Sequence, residues 1–346
     1  MRRPLASLVV CLAVLVLAPC ALAAKPEPKG TGSWADSQIK AVVAAGLMAP
    51  SAAEFRPDDP LTGGELAQLL AALDGAAVVP VPADAGASVS IAELNAALVR
   101  HVGLAPAAKQ FRTVLAAAGL EPSKRAGTEI VAHSLGLRSN HSDDGLELLP
   151  SDPATRAEAA FSVARALALP SSWEIGDVTA RAESFAVPEL TDWQRRILAQ
   201  AVSFLGYPYV WAGSSEEPQT LGSGRAPGGF DCSGFVWRVY KLEQYPEAPQ
   251  LAETLKGRTT YAMSGEVGQK LRIGRAALIP GDVVFFGDRG AKSKPAEVGH
   301  MGIYVGNGWF IHSSSGGDGV MLSTLTGYYD ERFAWARRPL AEAGLQ

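Results

Sequence analysis

One cysteine and two histidines are the residues of this sequence that could perform nucleophilic catalysis. Cys232 stands in GGFDCSGF, directly after Asp231 and before the small residue Ser233. A thiol attacks as its thiolate and needs a base to take its proton. The C-terminal half of the chain has only His300 and His312 to supply an imidazole. These residue types predict acyl transfer by a thiol and an imidazole acting together.

A helix is predicted to begin at the cysteine. Asp231 is a suitable N-cap, and apolar residues follow at helical spacing at Phe235, Val236, Val239 and Leu242. Free N–H groups and the helix dipole at such a terminus favour a thiolate and can hold an oxyanion. We therefore expect the pKa of Cys232 to lie well below the usual value of about 8.5.

Both histidines fall in two strand-like runs around a Gly-Asn-Gly turn, VGHMGIYVGNGWFIHSSS. The register of this hairpin determines whether the two imidazoles can meet. A two-residue Asn-Gly turn is a strong hairpin signal, and it would pair Gly306 with Trp309. Because side chains alternate along a strand, that pairing would turn His300 and His312 to opposite faces.

A three-residue loop at 306–308 is the register that the apolar pattern favours. It pairs Val305 with Trp309 and places His300 and His312 on one face. On the other face, one set of apolar side chains then lies together: Met301, Ile303, Val305, Trp309 and Ile311. Burial of a single apolar face selects this register. His300 would take the thiol proton while His312 fixes its ring and tautomer.

The N-terminus is typical of an export signal. Residues 1–23 combine an arginine pair, an apolar run and a terminal Ala-Leu-Ala cleavage site. Cleavage would remove Cys11 and Cys20 and leave Cys232 as a lone thiol, which exported proteins seldom keep without a use. A small residue is expected before a lipoprotein cysteine, but Pro19 stands there, which argues against an anchor at Cys20. We expect a secreted protein.

Composition limits the partners of this chain. Its 346 residues are enough for about two domains, and hydrophobic residues make up 47%. The net charge is −4, which argues against nucleic acid or anionic lipid as the main partner. Beyond the signal no apolar run is long enough to span a membrane.

A repeated loop marks the N-terminal half. FRPDDPLTGGE at 55–65 and LLPSDPATRAE at 148–158 share an Asp-Pro-x-Thr-x-x-Glu pattern that ends in a capping box. SVSIAELNAALVRHVGL at 88–104 is a degraded third copy. About three helix–loop–helix units are therefore predicted. Residues 31–170 resemble S-layer homology repeats, which in that family bind cell-wall polysaccharide.

The Thr-Arg-Ala-Glu core of that family is complete only in the last copy, where Arg156 would offer a cation to an acidic wall polymer. A helical spacer that binds nothing is the alternative. The predicted organisation is, in order, signal peptide 1–23, linker 24–33, helical repeats 34–170, linker 171–190 and a catalytic domain at 191–342.

The catalytic domain, residues 191–342, resembles the NlpC/P60 family of cell-wall endopeptidases, which are papain-like cysteine peptidases. The matching landmarks are LGYPYVWAG (205–213), FDCSGFV (230–236), LIPGDVVFF (278–286), GHMGIYVGNG (299–308) and FIHSSS (310–315). The resemblance implies an α+β fold, with the cysteine on a helix N-terminus packed against an antiparallel sheet that carries both histidines. An all-α repeat domain would precede it.

The resemblance also implies roles for single residues. Cys232 would be the nucleophile, His300 the general base and His312 the orienting residue. The side chains expected to contact the stem peptide or the developing charge are Tyr209, Trp211, Asp231 and Ser233. Core packing for the two aromatic residues and helix capping for the aspartate are the open alternatives. An insert at 214–229 is longer than usual in the family and is a candidate rim or lid.

These expectations combine into a secreted, wall-associated peptidoglycan hydrolase that needs no cofactor. The family's usual substrate is the γ-D-glutamyl to diamino-acid bond of the stem peptide, and wall polysaccharide is a second partner through the repeats. One alternative is an amide or acyl transferase that uses the same three residues. Another is a wall-binding structural protein without activity. Metal binding by the cysteine and histidines is a further rival, but no fourth ligand is evident.

Overall fold

The structure, a computed structural model, describes residues 32–75, 84–169, 173–222 and 224–345. The predicted signal peptide with Cys11 and Cys20 lies outside the described residues, as does most of the predicted linker 24–33. In the described stretches, no helix has both the length and the apolar character needed to cross a bilayer. Every element below belongs to the compact unit Ala35–Gln346.

The first part of this unit is helical. Its helices are α1 (Asp36–Ala44), α2 (Gly63–Leu73), α3 (Ile91–His101), α4 (Ala105–Ala117), α5 (Ala126–Ser134), α6 (Arg156–Ala168), α7 (Glu174–Ser184) and α8 (Asp192–Ser203). Helices α2, α3 and α6 begin at the three repeated loops. Each N-cap hydroxyl accepts a hydrogen bond from the backbone N–H three residues on, and these caps are Thr62, Ser90 and Thr155.

The three repeated loops bond to one another in a closed ring. The N–H of Leu61 donates to the carbonyl of Ala154, Ala154 donates to Val89, and Val89 donates back to Leu61, each at 2.8 Å. Each copy therefore satisfies the backbone of the next, which is how a repeat that cannot bury its own edge becomes stable. Each of the three predicted copies, including the degraded middle one, supplies one loop to this ring.

Arg156 is engaged inside the repeats and also lines a pocket of about 240 Å³ beside α2, so its contact with a wall polymer stays a prediction. The side chain is buried, and its guanidinium donates to the carbonyls of Phe55 at 2.7 Å and Met48 at 2.6 Å. It also pairs with Glu65 and lies 4.9 Å from the ring centroid of Phe55. These contacts tie the last copy to the first, so Arg156 holds the repeats together.

The segment 171–190, predicted as a polar linker, contains helix α7. Val178 and Ala182 are its buried residues, and Phe185 directly after it is buried as well. The Phe185 ring lies 5.3 Å from that of Phe111 in α4 and 5.0 Å from that of Trp309 in the C-terminal sheet. The helix therefore packs between the helical part and the sheet, and the domain boundaries stay a prediction.

The C-terminal part mixes strands and helices. Its elements are β1 (Ser214–Ser215), β2 (Gln219–Leu221), β3 (Gly224–Ala226), β4 (Gly229–Phe230), α9 (Cys232–Trp237), α10 (Thr260–Gly265), β5 (Val283–Gly287), β6 (Val298–Gly306), β7 (Trp309–Ser314), β8 (Gly319–Thr324), α11 (Tyr328–Arg332), β9 (Phe333–Arg337) and α12 (Pro339–Glu342). Strands β5 to β9 form one antiparallel sheet in the order β8-β7-β6-β5-β9, against which α9 packs. The predicted α+β fold class is confirmed.

The hairpin of β6 and β7 does not use the predicted three-residue loop. Gly306 pairs with Trp309 around a two-residue turn, and Asn307 and Gly308 have φ of 50° and 83°. Both turn residues thus occupy the left-handed region that an Asn-Gly turn requires. The strong local turn signal prevailed, and the predicted pairing of Val305 with Trp309 is wrong.

A β-bulge nevertheless restores the predicted register further along the hairpin. The pairing shifts between Tyr304 and Gly306, so that Ile303 lies opposite Ile311 as expected. The extra residue, Val305, absorbs the one-residue difference between the two registers. The predicted apolar residues of both strands all lie in the main core: Met301, Ile303, Val305, Trp309 and Ile311.

Candidate active site

A cavity of about 790 Å³ opens beside the start of helix α9. Cys232 and His300 both line it, and so do the predicted substrate-binding residues Tyr209 and Trp211. The cysteine is brought there by a helix and the histidine by the central strand β6. The packing of α9 on the sheet therefore brings together residues that are far apart in the chain.

Cys232 is the first residue of α9, as the sequence predicts. The carboxylate of Asp231 caps the helix and accepts a hydrogen bond from the N–H of Gly234 at 2.5 Å. Sγ of Cys232 lies 3.9 Å from Oγ1 of Thr260 in α10, a residue that no sequence motif indicated. The thiol is buried and is the free cysteine of the described residues.

The pKa of this thiol is raised, contrary to expectation. Burial, and after it the neighbouring carboxylate of Asp231, raise the pKa of Cys232 to about 11. The hydroxyl of Thr260 and the backbone N–H groups of Met301 and Ser233 act in the opposite direction. Loss of solvation outweighs the helix terminus because a buried thiolate has little water to stabilise its charge.

The two imidazoles meet as predicted. Nε2 of His300 lies 2.8 Å from Nδ1 of His312, and Nε2 of His312 lies 2.9 Å from Oγ of Ser323. Ser323 extends the pair from the edge strand β8, and no sequence motif indicated this residue. The meeting depends on Gly302, where a Cβ atom would lie only 2.9 Å from Cβ of His312.

Aromatic rings enclose the imidazole pair. The His312 ring stacks on that of Phe310 at 4.6 Å, and Tyr329 lies edge-on to it at 5.1 Å. Burial lowers the pKa of His300 to about 4 and holds the pKa of His312 well below its usual range. Both rings are therefore neutral at pH 7, and a neutral imidazole is the form that can accept a proton.

Tyr209 and Trp211 both line the cavity but differ in burial and in the group they present. Burial raises the pKa of the Tyr209 phenol, and the Cys232 and Asp231 side chains raise it further, so the phenol stays protonated and able to donate. Trp211 is 67% exposed, which excludes the core-packing alternative for this ring.

Two family profiles match this chain. The NlpC/P60 family profile matches residues 206–338, which include Cys232, His300 and His312. Residues 206–338 belong to the NlpC/P60 family. The S-layer homology domain profile matches residues 29–67, around the first repeated loop.

Three curated relatives align with the NlpC/P60 part of the chain. The probable peptidoglycan endopeptidase LytE of Bacillus subtilis is 35% identical, over 41% of this chain and 34% of its own length. The murein DD-endopeptidase MepH of Escherichia coli is 34% identical, over 41% of this chain and 44% of its own length. A gamma-D-glutamyl-L-lysine dipeptidyl-peptidase of Bacillus subtilis is 27% identical, over 42% of this chain and 41% of its own length. The chain thus spans less than half of each relative.

Asp231 and Ser233 belong to a hydrogen-bonded network with Arg258. Nη1 of Arg258 lies 3.2 Å from Asp231 and 2.7 Å from the Ser233 hydroxyl, and Nη2 donates to the carbonyls of Ala212 and Gly213. Neither residue lines the cavity. Their contact with a substrate stays a prediction, while the structure shows them fixing the start of α9. No motif pointed to Arg258.

The insert at 214–229 does not cover the cavity. It folds into two small antiparallel pairs, β1 with β4 and β2 with β3. The backbone of this insert lies close to the helical part. A Cβ atom added at Gly145 would be only 3.2 Å from the carbonyl oxygen of Arg225 in the insert. None of its described residues, 214–222 and 224–229, lines the cavity, so the expected rim or lid is not observed.

The helical part completes the cavity, a contribution that no sequence motif indicated. The end of α5, together with α6 and α7, supplies one wall: His133, Ser134, Leu135, Gly136, Arg165, Glu174 and Arg181. Nδ1 of His133 lies 2.7 Å from the carbonyl oxygen of Gly317 in the turn between β7 and β8. Within the described stretches, no group of three or more His, Cys, Asp or Glu side chains could hold a metal ion.

Proposed function

We propose that this chain hydrolyses an amide bond of peptidoglycan stem peptides, with Cys232 as the nucleophile. The observation that carries the proposal is that a thiol at a helix N-terminus lines the same cavity as His300. Nε2 of His300 in turn contacts Nδ1 of His312. The family match and the peptidoglycan-cleaving relatives support the same reaction.

The hydrogen bonds support one arrangement of protons. Nε2 of His300 contacts His312, so Nδ1 is the nitrogen left to accept the thiol proton. A neutral imidazole with a free Nδ1 carries its proton on Nε2 and donates it to Nδ1 of His312. His312 then carries its own proton on Nε2 and donates to Ser323. The hydrogen bonds between these three side chains hold His300 in the tautomer that can act as a general base.

Proton transfer accompanies the attack in this proposal. The thiol pKa is about 11 and the imidazole pKa about 4, so the empty site holds a neutral pair. The sulfur attacks the carbonyl carbon as its proton passes to His300, and the first-turn N–H groups of α9 and the Tyr209 phenol receive the oxyanion. The imidazolium then protonates the leaving amine, and water releases the acyl-enzyme.

We assign the γ-D-glutamyl to diamino-acid bond as the scissile bond. A relative named for γ-D-glutamyl-L-lysine cleavage supports this choice. Trp211 and Tyr209, which line the cavity, are the proposed contacts of the stem peptide. Secretion and attachment to the wall through the helical repeats complete the proposal, and the S-layer homology match supports the attachment.

Digestion of purified sacculi tests the proposal. Soluble fragments identified by mass spectrometry should end at the γ-D-glutamyl residue, and Cys232→Ala should release none. Fragments cut at another bond would contradict the bond assignment alone. New amide bonds in place of hydrolysis would indicate the transferase alternative. Sedimentation with sacculi without any cleavage would indicate a structural wall protein.

A further inference from the structure

The helical wall of the cavity carries a cation that the NlpC/P60 domain does not supply. Arg165 in α6 and Arg181 in α7 both line the cavity, and both lie outside the matched residues 206–338. Arg165 is already engaged, because Nε donates to the carbonyl of Leu135 at 2.7 Å and the guanidinium pairs with Glu174. Arg181 is engaged much less.

Most N–H donors of the Arg181 guanidinium have no partner among the described residues. Its guanidinium has one ion pair among the described residues, a long 3.6 Å contact from Nη1 to Asp177 one turn earlier in α7. It makes no hydrogen bond to any described residue, and its Nε is buried without a partner. A guanidinium offers five N–H groups, so most of its capacity is unused.

The position of Arg181 is nevertheless well defined. Its guanidinium carbon lies 5.5 Å from the ring centroid of Trp309, a cation–π distance. That ring is itself held by Phe111 at 6.0 Å and Phe185 at 5.0 Å. The side chain is 26% exposed, so it is anchored at its base and open toward the cavity. A preorganised cation of this kind is suited to anion recognition.

We propose that Arg181 binds a carboxylate of the peptide substrate, so that the helical repeats form part of the substrate site. The inference rests on the proposed function. A γ-linked glutamyl residue keeps its α-carboxylate free, and the peptide C-terminus carries a second one. Either matches the fork of a guanidinium, which binds carboxylates through two parallel hydrogen bonds. The spare donors of Arg181 would take up that carboxylate, with the contact to Asp177 lengthened or lost.

Peptide binding and cleavage test the role of Arg181. Three synthetic stem peptides are compared: the free acid, the α-carboxamide of the γ-linked glutamate, and the C-terminal amide. Affinity is measured by calorimetry on Cys232→Ala, with and without Arg181→Gln, and kcat/KM on the same pair with the cysteine intact. Arg196→Gln is the matched control, because Arg196 also lies over a tryptophan, Trp193, and pairs with one acid, Glu247.

Arg181→Gln should weaken binding of the free acid and lower its kcat/KM by about 10- to 100-fold, as expected for a lost charged hydrogen-bond pair. With one of the two amides, Arg181→Gln and the parent protein should have equal affinity and equal kcat/KM, because that peptide already lacks the carboxylate that Arg181 binds. The amide that shows this behaviour identifies the carboxylate. Arg196→Gln should change nothing. Equal losses on all three peptides, or no loss on the free acid, would overturn the inference while leaving the proposed hydrolysis intact. A parent protein that neither binds nor cleaves any of them would overturn both.

Discussion

The reactivity of Cys232 toward an alkylating agent should rise with pH up to strongly alkaline values. Only the thiolate reacts, and burial together with Asp231 raises the pKa of this thiol to about 11. A pKa of about 11 leaves roughly one thiol in 10⁴ ionised at pH 7, against about 3% for a free thiol of pKa about 8.5. Cys232 should therefore react about 300-fold more slowly than free cysteine at neutral pH for equal access.

The assay is the rate of iodoacetamide labelling, followed by mass spectrometry from about pH 5 to about pH 10. Because the proton affinity of His300 is too low to hold the thiol proton in the empty site, His300→Ala should keep the same slope. Free cysteine in the same buffers corrects for the reagent. A rate that levels off below pH 8 in the parent protein, and loses that plateau in His300→Ala, would refute the reasoning and show a resting thiolate–imidazolium pair.

Three further substitutions test the packing behind the site. Gly302→Ala should cost about 1–3 kcal/mol in chemical denaturation and lower kcat, because its Cβ meets Cβ of His312 at 2.9 Å; unchanged kcat would show that His312 tolerates the shift. Arg156→Ala should lose about 3–5 kcal/mol by leaving Glu65 and two carbonyls without their donor. The exposed Arg56→Ala should lose under about 1 kcal/mol. Equal losses for the two arginines would contradict the structural role of Arg156. Ser323→Ala should lower kcat about fivefold with KM unchanged, since one hydrogen bond of about 1 kcal/mol to His312 is lost. Ser323→Thr should restore most of it, and a full loss in both variants would point to misfolding.

The hairpin shows how two correct local signals can produce one wrong prediction. The Asn-Gly turn and the apolar face each favour a register, and the two registers differ by one residue. The chain satisfies both by placing Val305 in a bulge. Prediction from alternation alone could not find this solution, because a bulge is stabilised by its surroundings and has no strong sequence signal.

The thiol pKa shows a second kind of failure. The helix N-terminus and the cap by Asp231 were correctly predicted, and both are local features. The pKa depends instead on how far water is excluded from Cys232, which is set by α10 and the sheet packing around it. Desolvation of a charge is a large effect. It therefore raised the thiol pKa, whereas the helix dipole alone would have lowered it.

Local patterns were sufficient for the capped loops of the repeats, the helix that begins at Cys232, and the pairing of His300 with His312. Each of these depends on residues close together in the chain, where backbone geometry and side-chain alternation act directly. Packing between distant segments supplied the rest: the buried role of Arg156, the contact of Ser323 with His312, the network around Arg258, and the helical wall with Arg181. These contacts join segments far apart in the chain. They become favourable only when the whole unit has closed and buried its apolar faces, so no short stretch of sequence encodes them.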